Sequence, residues 1–171
     1  MTGFMLSSVV YELTQEFIKR YFSGRENMRM YEQMLHAARS GRQNIAEGYS
    51  QGTSLKGYIK LTGIAKGSLE ELKLDYEDFL KARKLEIWGK DHPKIREFRA
   101  FRVREISDNK YNTPQLPQNP QESANLLITL ISLNIFLLDR LIKSLEVKHT
   151  KEGGFTEKLY RNRVNYRSKL R

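Results

Sequence analysis

Glu47 and Glu71 are the first candidates for chemistry, because each sits in a short motif of polar and small residues. Asn44-Ile45-Ala46-Glu47-Gly48 carries the first, and Gly63-Ile64-Ala65-Lys66-Gly67-Ser68-Leu69-Glu70-Glu71-Leu72 the second. Paired carboxylates do acid–base work when they oppose one another at a cleft that shifts their pKa values. The spacing favours packing over catalysis. Ala46 and Gly48 permit close backbone approach, while Asn44 and Glu47 are three apart and share one helix face. From there they can hydrogen-bond to a neighbouring helix, with Ser68 as the expected partner. The assembly set is Asn44, Glu47, Gly48, Gly67, Ser68 and Glu71. No catalytic residue is assigned, and the chain is expected not to be an enzyme.

Metal chemistry has one trace. A di-iron bundle needs two Glu-x-x-His pairs and two further glutamates, all facing inward. Only Glu146-Val147-Lys148-His149 matches, at the fraying end of a helix, and His36 and His92 have no partner at ligand spacing. The chain has no cysteine, which excludes thiolate metal sites and disulfides. No P-loop, nucleophile elbow or dinucleotide fingerprint occurs. No metal and no cofactor are expected.

Basic residues give the stronger signal. Lysine plus arginine is 30 against 20 acids, a net +10 over 171 residues, and such a field attracts phosphate polymers or an acidic partner. Arg39 and Arg42 are one turn apart, as are Lys56 and Lys60, with Lys66 following. Gly41, Gly63 and Gly67 interrupt these stretches with residues that let a phosphate come close. From Val147 onward eight basic residues stand against Glu152 and Glu157, a net +6. There Tyr160 and Tyr166 alternate with Arg161, Arg163 and Arg167, ahead of Lys169 and Arg171. Tyrosine interleaved with arginine suits stacking on unpaired bases plus phosphate contact. The competing reading is a helical scaffold that recruits another protein, its charge incidental.

The elements that must position these residues are helices. Residues 7 to 22 place Val10, Leu13, Phe17 and Tyr21 at 3–4 spacing, with Ser7 or Ser8 as the opening cap and Gly24 as the stop. A second helix runs from about Glu26 to Tyr49. The third, Ser54 to Lys84, steps through Tyr58, Thr62, Ala65, Leu69, Leu72, Tyr76 and Phe79, the seam of a helix bundle. Thr53 or Ser54 caps it, after a break at Gly52. A short helix is expected between Pro93 and Ile106, then an exposed loop from Ser107 to Asn119.

The last long helix opens at Asn119-Pro120 and runs to about Glu146. Its apolar residues cover nearly all its faces, which calls for burial nearly all round. A subunit interface is the favoured cover, and the inserted helix is the alternative. The fold class is therefore all-α: an antiparallel up-down four-helix bundle over residues 1–146, with an insert at about 85–119 and a basic tail at 147–171. The apolar run Leu126 to Leu138 falls short of the roughly 20 residues that span a bilayer, and the N-terminus makes a poor signal peptide. The cytoplasm is the expected location, with no membrane partner.

Asn44, Ile45, Ala46, Glu47 and Gly48, with Gly67, Ser68 and Glu71, resemble the four-helix-bundle family encoded in intervening sequences of bacterial large-subunit ribosomal RNA genes. That family includes the accessory variability determinant of diversity-generating retroelements. The resemblance spans roughly residues 5 to 84 and then 120 to 146. It implies an antiparallel bundle assembled as a ring, typically a pentamer. For the retroelement branch it also implies a basic surface that binds nucleic acid and a reverse transcriptase. The chain departs from the family pattern at Arg39-Ser40-Gly41-Arg42-Gln43, in the long 85–119 segment and in the basic tail.

Overall fold

The computed structural model describes residues 2–50, 54–108 and 110–168. Helix accounts for 79% of them, so the chain is all-α. Helix α1 spans Thr2–Tyr21, starting well before the expected cap. Ser7 and Ser8 are buried inside it, and their hydroxyls donate back to the Phe4 carbonyl at 2.7 and 3.1 Å. A hydroxyl satisfied by the turn beneath it needs no helix end, so these serines belong to the buried stripe. Gly24, at φ 127°, takes a backbone conformation costly for any side chain and turns the chain through a short 3₁₀ segment, Arg25–Asn27, into α2, Met28–Ser50.

Helix α3, Leu55–Ala82, is capped by Ser54, whose hydroxyl accepts from the Gly57 amide at 3.1 Å. Gly52 and Thr53 lie outside the described residues. Helix α4, Pro93–Ala100, is shorter than expected. Its continuation forms two antiparallel strands, β1 (Glu105–Ser107), where the end of the short helix was expected, and β2 (Lys110–Tyr111), inside the expected loop. Asn112 holds their base, accepting from the Arg104 amide and donating to the Arg102 carbonyl. Tyr111 is buried with its ring edge-on to Phe4 at 6.5 Å. Leu116 is buried too, and Arg20 and Tyr21 donate to the carbonyls of Pro117 and Gln118, so a segment whose polar composition reads as exposed loop is tied to α1.

Helix α5, Pro120–Glu152, outruns the expected end at Glu146. The Asn119 side chain accepts from the amides of Gln121 and Glu122 at 2.8 and 3.0 Å, satisfying two of the donors a helix start leaves open. Gly153, at φ 72°, ends it. The tail then forms α6, Phe155–Ser168, none of whose residues is buried.

Helices α1 and α3 each pack against both α2 and α5. Gly48 lies against Tyr58, Gly41 against Leu69, and Gln33 reaches Asp75, so α2 and α3 run in opposite directions. Gly3 lies against Leu138 while Ser123 meets Tyr21, which opposes α1 and α5. The core centres on Phe17, whose ring lies 4.7 Å from Tyr21 and 4.8 Å from both Tyr76 and Phe79. The Tyr76 hydroxyl donates to Thr14 at 2.9 Å.

Residues 123–131 of α5 are buried without a break. The insert supplies the cover: Ile95 and Phe98 of α4 are buried, α4 packs on α5, and the Trp88 amide donates to Asn125 at 2.8 Å. The apolar excess of this half is therefore covered within the chain and does not call for a second subunit. Further along, Phe136 is 58% exposed. An 18-residue window of this helical stretch has mean hydropathy 1.7, long and apolar enough to cross a bilayer, and half of it is buried in the fold.

Candidate nucleic-acid interface

Small residues let α2 and α3 meet closely. A Cβ added at Gly41 would come within 3.1 Å of Leu69, and one at Gly48 within 2.8 Å of the Tyr58 ring. At Gly48 something would have to shift. Gly67, expected in the same packing set, faces open space, as does Gly63.

Polar contacts line the seam between these helices. The hydroxyls of Ser40 and Ser68 are 2.8 Å apart. Asn44 donates to the Ser40 carbonyl at 2.9 Å and to the Ser40 hydroxyl at 3.2 Å. Asn44 thus bonds to its own helix and reaches Ser68 only through Ser40, which sequence reasoning missed. Glu47 and Glu71 are exposed. With Gly48 beside Tyr58 and Ser40 beside Ser68, Glu47 lies near the start of α3 and Glu71 near the middle of α2. The two carboxylates do not face each other.

The acid that is buried is Asp75. Its Oδ1 accepts from Gln33 at 2.7 Å, and its Oδ2 has no hydrogen-bond partner among the described residues. Burial pushes its carboxyl above the usual range, the Gln33 bond opposes this, and the nearby charges of Asp78 and Glu71 add to the rise. A signal existed in the sequence, because Asp75 continues the stripe of Leu61 and Ser68 at helical spacing. A raised folded-state pKa gives stability that is full below the ordinary value of 3.8 and lost as pH rises through the folded value. Asp75→Asn keeps an acceptor for Gln33 and removes the ionisation. The variant should melt at higher temperature than the parent near neutral pH, with the gain vanishing below pH 3.8. Equal melting temperatures at neutral pH would show that Asp75 ionises without cost.

The predicted cations separate into four groups. Arg39 is exposed on α2, whereas Arg42 is half-buried with its guanidinium 4.0 Å from the centre of the Tyr11 ring, a cation–π arrangement. Lys56 and Lys60 are exposed in the first turns of α3. Lys66 is turned to α5, 2.8 Å from Asp139 and 3.6 Å from Glu70. The hydrogen bond to Asp139 holds its ammonium above the usual lysine range. Its charge is already matched, so Lys66 does not share the open cationic surface of Lys56 and Lys60.

Arg161, Arg163 and Arg167 are exposed on α6, with Tyr160 and Tyr166 about two-thirds exposed beside them. Lys169 and Arg171 lie outside the described residues. Arg161 donates to the Glu152 carbonyl at 2.8 Å, and Glu157 accepts from the Gly154 amide at 2.9 Å, fixing how α6 leaves α5. Ser54, Leu55 and Lys56 line a shallow pocket together with His149, Gly154 and Phe155. The start of α3 and the start of α6, about a hundred residues apart in the chain, therefore adjoin. Among the described residues, Lys56 and Lys60 enter no ion pair. Glu157 also lines that pocket, and the exposed arginines and tyrosines follow along α6, a set able to hold phosphate and stack on bases.

The family model for the 23S rRNA-intervening sequence protein matches residues 2–88. Neither the curated proteins nor the solved structures contain a match. The matched stretch ends where the insert begins, so the 120–146 part of the resemblance lies beyond it. It takes in α1, α2 and α3 with both motifs, slightly more than half of the 171 residues, and the chain belongs to the 23S rRNA-intervening sequence protein family.

Proposed function

We propose that this chain is a non-catalytic, oligomeric RNA-binding protein of the cytoplasm. Its architecture is an antiparallel up-down four-helix bundle of α1, α2, α3 and α5, with α6 as a basic arm. The observation that carries the reading is the adjoining of the Lys56 turn and the arginine- and tyrosine-bearing α6 on a chain of net charge +10. Unpaired RNA presents both phosphate and base faces, which such a corner matches. The family's name sets the same context.

Self-association is part of the proposal. Leu74 and Phe136, 56% and 58% exposed, line one groove between α3 and α5, and apolar surface of this kind favours association. Five subunits is the number that the resemblance implies. A reverse transcriptase as partner belongs to the retroelement branch, and co-purification with one would place the chain there. The same groove also favours the alternative, a scaffold that recruits another protein.

Lys56→Glu combined with Lys60→Glu tests the interface. Both side chains are exposed, so the melting temperature should hold. Anisotropy titration of a single-stranded RNA at low salt should show about tenfold weaker binding or worse, because each lost phosphate contact removes counterion release. An intact protein that binds no RNA at low salt would defeat the reading and leave the protein-recruiting scaffold.

A further inference from the structure

A cavity of about 530 Å³ opens at one end of the helices, where α1 and α3 begin and α2 ends. Phe4, Tyr49, Tyr58 and Tyr111 line it, with Glu105 and Arg140 among its polar groups. Ligand pockets have volumes of roughly 300–1,000 Å³ and combine apolar walls with a few placed polar groups.

Two of the rings are set by their neighbours. Tyr58 lies against Gly48 so closely that an added Cβ would sit 2.8 Å from its ring, and Tyr111 is held edge-on against Phe4. Burial raises both hydroxyls above the usual tyrosine range, so they remain neutral donors. Tyr49, on the last turn of α2, is 63% exposed and stands at the mouth. Arg140, the one basic residue in the lining, is exposed.

We infer that this cavity receives a single unpaired nucleobase from a bound RNA strand. Aromatic walls offer faces on which a base can stack, and the tyrosine hydroxyls offer hydrogen bonds to its edge. A purely apolar ligand would leave those hydroxyls unpaired, which is costly in a buried site. Arg140 at the rim suits a phosphate beside the inserted base. This inference rests on the RNA-binding reading above, and adds to it a recessed site for one base, separate from the exposed surface of α6.

The test compares a single-stranded RNA with an oligomer of the same length and charge that lacks bases. Parent protein, Tyr49→Ala and Tyr49→Phe are titrated with each. The parent should favour the base-bearing strand, Tyr49→Ala should bind that strand about tenfold more weakly, and Tyr49→Phe should retain its affinity. Binding of the abasic oligomer should be the same for all three. Equal weakening of both oligomers by Tyr49→Ala, or of neither, overturns the base pocket while leaving RNA binding in place. Failure of the parent to bind either oligomer at low salt overturns the RNA reading itself. Adenosine monophosphate alone binding as tightly as the strand would assign the cavity to a free nucleotide and overturn the inference.

Discussion

Phe17→Ala should lower the free energy of unfolding by about 3–5 kcal/mol, the usual cost of deleting a buried aromatic ring. Phe17 is fully buried on α1, and its ring contacts Tyr21, Phe22, Tyr76 and Phe79. The truncated site cannot close easily, because its neighbours come from both α1 and α3 and are themselves fixed. Tyr76 is tied to Thr14 by its hydroxyl, and Phe79 lies beneath the Arg83 guanidinium at 3.9 Å. A domain of this size has a total stability of roughly 5–15 kcal/mol, so the variant should lose a large share of it. Urea denaturation followed by circular dichroism reads the loss. Val147→Ala is the control, because its side chain is 54% exposed and about 1 kcal/mol or less is expected away from the core. A Phe17 loss as small as the Val147 loss would mean that the aromatic cluster is not the centre of the core.

The helical seam was legible because one periodicity ran through it. On α3, Thr62, Ala65, Leu69, Leu72, Tyr76 and Phe79 follow the 3–4 step, and all are buried. The caps at Ser54 and Asn119 were legible for the same local reason, since a short polar side chain beside the first turn has few other roles. Tertiary contact decided the rest. Ser7 and Ser8 look like caps until α1 is extended to Thr2, and only then do they find the Phe4 carbonyl. The β1–β2 pair has no alternating apolar pattern, and its order depends on Tyr111 meeting Phe4 from a distant helix. Apolarity all round α5 calls for cover, and a subunit interface was the source it favoured. Ile95 and Phe98 of the insert answer it over residues 123–131. In the candidate interface, Lys56 and Arg161 were visible as charges, whereas their shared corner was not. Nothing local in the sequence links Leu55 to Phe155, because the link is made by packing at the ends of α3 and α5.

Removal of α6 by ending the chain at Gly153 should weaken RNA binding most of all. The cut takes away Lys158, Arg161, Arg163, Arg167, Lys169 and Arg171 with Glu157 as the one acid. For single-stranded nucleic acid each phosphate contact contributes roughly −0.7 to the slope of log affinity against log salt. If about four of the six cations touch phosphate, the slope should become shallower by about 3, which corresponds to roughly a thousandfold for a tenfold change in salt. Tyr160 and Tyr166 leave with them, so stacking is lost as well. In an oligomer the arm is repeated on every subunit, and avidity across one strand makes the combined loss larger than the single-arm figure. None of the residues of α6 is buried, so the thermal midpoint should stay within a degree or two of the parent. Light scattering on the truncated chain separates two causes of lost affinity. An unchanged oligomer with a shallower slope assigns α6 to phosphate contact. A smaller oligomer would show instead that Phe155, Leu159 and Val164, each about half exposed, join subunits. An unchanged slope and affinity would remove α6 from the interface and leave Lys56, Lys60 and Arg39 to carry the binding.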